Sequence, residues 1–309
     1  MSEKESLRRP DWLKVRLRTD GGFRQMRSMV SELELNTVCT EARCPNIYEC
    51  WNAGTATFMI LGDTCTRRCG FCNVISGRPS PGVDPDEPRH VAEAVARLNL
   101  RHIVITSVDR DDLEDGGAAH FAQVIRALKA RNPQCAVEVL TPDFKGKQGA
   151  LETVLEASPE VFAHNVETVP RLYRNARPGS KYEGSVDLLR RAAARRDNDG
   201  TEMRVKSSLM LGLGEEDEEV LDVLRDLREA GVDVVTLGQY LQPTKQLMPV
   251  MRYVTPEQFD EFRRKGLEMG FLHVESGPLV RSSYHAERHR PDAPSRKTES
   301  DPSLPTLGT

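Results

Sequence analysis

The stretch "TATFMILGDTCTRRCGFC" (residues 55–72) joins the two features that decide the fold. Its first half is an unbroken apolar run of β-branched, aromatic and aliphatic residues closed by a glycine, the pattern of a strand buried on both faces. Its second half holds Cys65, Cys69 and Cys72 as C-x3-C-x2-C. In a parallel α/β architecture functional residues collect in loops leaving the carboxyl ends of strands, which is where this loop begins. Three thiolates are also a telling number. A structural zinc site closes with four ligands and disulfides use cysteines in pairs, whereas three ligands leave one coordination position open for chemistry.

The strand pattern recurs downstream. "HIVITS", "AVEVLT", "VFAHNVET", "MRVKSSLML" and "DVVTLG" read as further strands bounded by turn formers or charges. Between them, and after the last, lie "HVAEAVARLN", "AAHFAQVIRALKAR", "GALETVLEA", "SVDLLRRAAARR", "EEVLDVLRDLREA" and "PEQFDEFRRKGLEM", with apolar residues at helical spacing. Six βα units imply a parallel sheet covered by crossover helices. The repeat length suits a barrel, a partial barrel or an open sheet equally.

The chain of 309 residues, 38% hydrophobic and 29% charged, has enough apolar material for a sizeable core. No apolar run reaches the roughly 18 residues of a membrane span, and the start, "MSEKESLRRPDWLKVRL", lacks the apolar region of a secretory signal. A cytoplasmic protein is expected, with no membrane partner. A net charge of −4 argues against a surface tuned to nucleic acid. Seven cysteines, an odd number, favour metal binding or catalysis over a disulfide framework. Cys135, which heads a strand, reads as a small buried hydrophobe. Arg67 and Arg68, beside the cysteines of the loop, are expected to favour ionised sulfur.

Two flanks stand outside the repeat. Residues 1–55 form an N-terminal extension with a second triplet, "CTEARCPNIYEC", in which Cys39, Cys44 and Cys50 are spaced C-x4-C-x5-C. The last 25 residues, from "HAERHRPD" on, are polar and rich in proline and serine. Residues 287–309 are expected to be a disordered tail, and the histidines of "HAERHRPD", His285 and His289, are expected to hold no metal.

The C-x3-C-x2-C spacing, with Phe71 before the last cysteine, resembles the signature of the radical S-adenosylmethionine superfamily. The N-terminal triplet, placed just upstream, looks like the auxiliary-cluster motif of the lipoyl synthase family. "RCPNIYECW", "TSVDRDDLEDGGAAHF", "LTPDF", "HNVETV", "SSLMLGLGE", "LGQYLQPT" and "VRSSYHA" resemble that family's blocks, and the likeness runs from about residue 10 to residue 286. It implies an α/β fold, a partial TIM-type (β/α)6 barrel over residues 56–275, with the N-terminal cluster-binding extension and a short C-terminal segment, 276–286, that caps the auxiliary cluster.

The resemblance also implies the chemistry. Cys65, Cys69 and Cys72 would hold a four-iron four-sulfur cluster whose remaining iron chelates S-adenosylmethionine. Cys39, Cys44 and Cys50 would hold a second such cluster, completed by a serine of the segment Arg281, Ser282, Ser283, Tyr284; Ser283 is the first choice and Ser282 the second. The reaction implied is insertion of two sulfur atoms at carbons six and eight of an octanoyl chain linked to a lysine of a lipoyl carrier domain. Radical chemistry suits those unactivated C–H bonds, and the auxiliary cluster is the sacrificial sulfur donor. The carriers implied are acyltransferase subunits of 2-oxoacid dehydrogenases and the glycine cleavage H protein. The other partners implied are a low-potential donor of ferredoxin or flavodoxin type and an iron–sulfur carrier that rebuilds the spent cluster.

Residues at strand ends are expected to contact S-adenosylmethionine: Thr106, Ser107 and Asp109, then Asn165 and Glu167, with Arg177 and Lys206 for the methionine carboxylate. His164 reads as a satisfied core histidine. "GLGEEDEE" lacks the lysine of a phosphate loop and reads as a strand-to-helix turn. The competing functions are another radical enzyme with an auxiliary cluster, such as a biotin synthase-like sulfur inserter, and a non-catalytic zinc-binding module with an inert barrel.

Overall fold

The computed structural model describes residues 8–14, 21–33, 35–42, 44–52 and 55–292. Ten strands are present among them: β1 (Asn36–Thr37), β2 (Thr57–Ile60), β3 (Thr64–Cys65), β4 (Ile75–Ser76), β5 (His102–Ser107), β6 (Ala136–Leu140), β7 (Val161–Ala163), β8 (Arg204–Leu211), β9 (Val234–Gln239) and β10 (His273–Gly277). Eight form one sheet in the order β1-β2-β5-β6-β7-β8-β9-β10, and β3 and β4 form a separate pair. Every pairing in the large sheet is parallel except β1 on β2. No pairing among the described residues joins β10 to β1 or β2, so the sheet curls without closing.

The six expected apolar runs are β2 and β5 to β9. Their continuous hydrophobicity follows from burial on both faces: all four residues of β2 and all six of β9 are buried. Each fully buried Val, Ile, Leu or Phe contributes about 1.5–3 kcal/mol of apolar transfer. The intervening helix Ala118–Arg131 coincides with its sequence pattern, and Asp217–Glu229 opens on a capping box between Glu216 and Glu219. β10 is a seventh parallel strand that sequence reading missed. Its residues, HVESG, contain one buried apolar side chain, Val274, so no hydrophobic run marks it.

The N-terminal extension shares the barrel's core rather than forming its own. Met26 from helix Gly21–Glu32 and Trp51 from helix Ile47–Asn52 belong to the same buried cluster as Phe58 of β2 and Ile105 of β5. Phe23 stacks on Tyr48 at 4.9 Å between ring centroids and on Trp51 at 5.2 Å, fixing one helix to the other.

Beyond β10 the chain doubles back as a strap. Asn46 Nδ2 donates to Leu279 O (2.7 Å), Thr57 Oγ1 to Ser283 Oγ (2.8 Å) and Tyr284 Oη to Glu49 Oε1 (3.1 Å). The short helix Ala286–Arg288 follows, and Arg290 then donates to Arg101 O (3.3 Å), just ahead of β5. The strap thus runs from the carboxyl end of β10 to the amino end of β5, across the side where the sheet stays open. The expected disorder is overturned for residues 287–292, because His289, only 1% exposed, is anchored against His273 with ring centroids 4.7 Å apart. Residues 293–309 of the expected tail lie outside the described residues.

Candidate active site

The cysteine loop leaves β2 through Leu61 and Gly62, both at positive φ (69° and 91°), and is clasped at its base by β3 and β4. Gly77 N donates to Cys65 O (2.9 Å) and Cys72 N to Cys69 O (3.1 Å). At its tip Gly70 is wedged under the chain: its N–H bonds Ala176 O (2.8 Å), its carbonyl accepts from Met248 N (2.8 Å), and an added Cβ would meet Asn175 O at 2.8 Å. Only glycine allows that approach.

The Arg67 side chain is a clamp, while its backbone N–H donates to Cys65 Sγ (3.4 Å). Its guanidinium forks onto both carboxylate oxygens of Asp111 (3.0 and 2.8 Å) and both of Asp143 (2.9 and 2.6 Å) and also reaches Ser180 Oγ (2.8 Å). Burial works to raise the Asp143 carboxyl, but Arg67 outweighs it and holds that carboxyl well below the usual carboxylate range. Arg68 is exposed. The expectation that these arginines favour ionised sulfur holds only in part: burial raises Cys65, and the N–H and charge of Arg67 work against that rise without overcoming it, while burial pushes Cys72 up to about 11 and Cys69 up to about 12, the charge of Arg177 only partly offsetting the latter.

The N-terminal triplet sits on β1 and the two short helices. Thr37 caps helix Val38–Glu41, which carries Cys39, by accepting from Thr40 N (3.3 Å); helix Ile47–Asn52 carries Cys50. Cys44 N donates to Cys39 O (3.1 Å). Burial raises all three thiols, Cys39 to about 11, and in Cys44 the charge of Arg281 works the other way. Asn73, next to Cys72, bonds Glu41 O (2.9 Å) and so ties one cysteine loop to the other.

A single cavity of about 850 Å³ at the carboxyl ends of the strands is lined by Cys65, Cys69 and Cys72, by Cys44, and by Arg281, Ser282 and Ser283 of the strap. Thr106, Ser107, Asp109, Asn165, Glu167 and Arg177 line it too. Not all of them are free to bind a ligand. Thr106 Oγ1 is engaged with Leu140 O (2.8 Å), whereas the buried Ser107 Oγ and Asn165 Oδ1 have no protein partner. Asn165 Nδ2 donates to Glu167 Oε1 (3.1 Å). Glu167 is held at φ +68°, a strained conformation that costs of order 1–3 kcal/mol and turns it toward the cavity. Arg177 is fixed by Asn165 O (2.9 Å) and Ser185 Oγ (3.1 Å).

His164 also reaches the cavity wall, and Lys206 does not. His164 bonds Thr141 O (2.8 Å) and Ser185 Oγ (2.9 Å), a satisfied core histidine that burial holds down to about 4. Lys206 is not at the cavity; it pairs with Glu138 Oε1 (2.7 Å) in the barrel interior and cannot serve a ligand carboxylate there. Thr57 and Asn73 went unnoticed in the sequence, and Arg281 was given no role of its own, because no local pattern marks a residue whose partners are remote.

The donor set discriminates between inorganic groups. Zinc held at about 2.3 Å by thiolates brings them roughly 3.8 Å apart. Among the described residues, the one trio of histidine, cysteine or carboxylate ligand atoms within 4.8 Å of one another is His273, Glu275 and His289, so neither cysteine triplet is gathered that tightly. Both are spaced for something larger than one ion. Thiols grouped in threes, four of the six lining one cavity, suit an iron–sulfur centre, whose iron would ionise them.

The chain matches the radical SAM superfamily model over residues 59–227 and the model for the N-terminal domain of lipoyl synthase over residues 1–44. It is 56% identical over 285 residues to the lipoyl synthase of Rubrobacter xylanophilus, covering 92% of this chain and 87% of that one. It is 53% identical to the lipoyl synthase of Nitrosospira multiformis, covering 94% and 91%. Among solved structures, a methylornithine synthase shares the fold at 14% identity (TM-score 0.54, 81% of this chain and 74% of that one). So does Streptococcus suis SuiB bound to S-adenosylmethionine, at 12% identity (TM-score 0.51, 87% and 59%). No helix among the described residues is long and apolar enough to cross a membrane.

Proposed function

Because the chain belongs to the lipoyl synthase family of the radical S-adenosylmethionine superfamily, we propose that its two cysteine triplets hold two four-iron four-sulfur clusters with separate duties. The enzyme inserts sulfur into an octanoyl group borne by a carrier protein, and it uses S-adenosylmethionine and an iron–sulfur cluster to do so. The observation that carries the division of labour is the shared cavity, onto which Cys65, Cys69 and Cys72 open together with Cys44 and Ser283.

Cys65, Cys69 and Cys72 are assigned to the catalytic cluster, which when bound supplies the low-potential electron that turns S-adenosylmethionine into a hydrogen-abstracting radical. Asn165, Glu167 and Arg177, with Ser107, are assigned to its amino acid and ribose groups; the unpartnered Ser107 Oγ and Asn165 Oδ1 supply polar atoms that need a partner. Thr106 is the weakest member of that set, since its hydroxyl is already engaged. The cavity walls orient the acyl chain and exclude solvent.

Cys39, Cys44, Cys50 and Ser283 are assigned to the auxiliary cluster, which is a substrate: its sulfides become the product's sulfur. Ser283 is favoured over Ser282 because its Oγ receives a hydrogen bond from Thr57, which stabilises an ionised oxygen. An alkoxide is a harder ligand for iron than a thiolate and opens more readily. The carriers are proposed to be acyltransferase subunits of 2-oxoacid dehydrogenases and the glycine cleavage H protein. A ferredoxin- or flavodoxin-type reductant and an iron–sulfur carrier complete the cycle, in the cytoplasm.

The test is a single anaerobic turnover of reconstituted protein with S-adenosylmethionine and an octanoyl-lysine peptide. Lipoyl-lysine at up to one per chain, with about eight irons falling toward four, is the expected result. Formation of 5′-deoxyadenosine without sulfur in the peptide, and with both clusters intact, would refute the sacrificial role.

A further inference from the structure

The floor of the barrel, at the amino ends of the strands, holds a second concentration of ligand atoms. His273 opens β10, Glu275 lies two residues on and so faces the same side, and the strap brings His289 to them. One ligand atom from each of the three lies within 4.8 Å of the others. His273 Nε2 is 3.1 Å from Glu275 Oε2. His289 is 1% exposed, and neither of its ring nitrogens has a hydrogen-bond partner. An unpaired buried polar group of this kind costs roughly 1–3 kcal/mol and asks for a missing partner.

We propose that His273, Glu275 and His289 form a mononuclear site for a divalent first-row transition metal, separate from the cluster cavity. Two imidazoles and one carboxylate are the ligand chemistry of zinc and of iron(II), not of magnesium or calcium, which take oxygen. The cation of Lys206 is offset by Glu138 at 2.7 Å, which limits its opposition to a metal. The metal's role follows from what it joins. It clasps β10 to the strap six residues beyond Ser283 and holds that segment across the open side of the sheet. His289, expected from the sequence to hold no metal, gains its co-ligands only because the strap doubles back.

The experiment uses the full chain with its cysteines loaded with iron and sulfide, dialysed with zinc and then without, and metal counted per chain. The wild type is expected to keep about one zinc that His289→Ala and Glu275→Gln lose, with zinc affinity down more than about 100-fold. Iron should be unchanged. All seven cysteines persist in each protein, so zinc on stray thiols cancels in the comparison. Glu275→Gln keeps the side-chain shape, so a folded variant is available even if His289→Ala is not. Zinc should raise the melting temperature of the wild type alone, and anomalous diffraction at the zinc edge should give a peak among the three side chains. Equal retention by wild type and Glu275→Gln, or a wild type that keeps no zinc and shows no peak at the zinc or iron edge, overturns the site.

Discussion

Arg67 is 6% exposed and makes five hydrogen bonds to Asp111, Asp143 and Ser180, which join the cysteine loop to loops that follow β5 and β6. Its planar fork meets two carboxylates at once, a geometry lysine cannot reproduce. Replacing it by lysine keeps the charge and abandons part of each bidentate pair. The expected outcome is a loss of about 1–3 kcal/mol in unfolding free energy, read as a lower urea midpoint, with less iron retained at the catalytic triplet. A variant with the wild-type midpoint and iron content would show that the fork is dispensable. Sequence reading singled out Arg67 by its place between cysteines and assigned it to them. The carboxylates that claim it lie 44 and 76 residues further on, and only the fold brings them together.

The strap depends on one position in β9. A Cβ on Gly238 would lie 2.0 Å from Val280 O, so the carbonyl of the returning chain rests directly on the strand backbone. Gly238→Ala forces the strap away at a cost of about 1–3 kcal/mol, and Ser283 leaves Thr57 with it. Lipoyl product is expected to fall by about tenfold or more while cleavage of S-adenosylmethionine persists, since the catalytic loop stands on β2 and not on the strap. Equal loss of 5′-deoxyadenosine and product in a quenched assay would contradict this separation. Elements were legible in proportion to their hydrophobicity. β2 and β5 to β9 announce themselves because both faces are buried, whereas β10 is largely polar and half-exposed and the strap has no period at all. The strap's docking rests on backbone contacts and single side chains, which leave no pattern along the chain.

Across the whole molecule the barrel interior divides into a mouth of cysteines and a floor of buried charge. On the floor Lys206 and Glu138 are each 1% exposed, paired at 2.7 Å, with His102 Nε2 at 3.4 Å from the other carboxylate oxygen. Burial opposes the charge on Glu138, yet Lys206 and then His102 outweigh it and hold its carboxyl below the usual value. A lysine read from sequence as a ligand for S-adenosylmethionine is thus used to neutralise a carboxylate on β6, two strands away, because β8 presents it to the interior outside the cavity. Removing one partner strands the other. Lys206→Met is expected to cost roughly 3–5 kcal/mol, whereas Lys206→Met with Glu138→Leu should recover most of it, since an apolar pair of similar volume is often as stable as a buried ion pair. The measurement is a double-mutant cycle in urea. Additive losses would mean that the two charges are independently solvated; a coupling of more than about 1 kcal/mol identifies a shared buried pair. Iron bound at the mouth should be nearly unchanged in the double variant, because the pair lies outside the wall of the cavity that holds the cysteines.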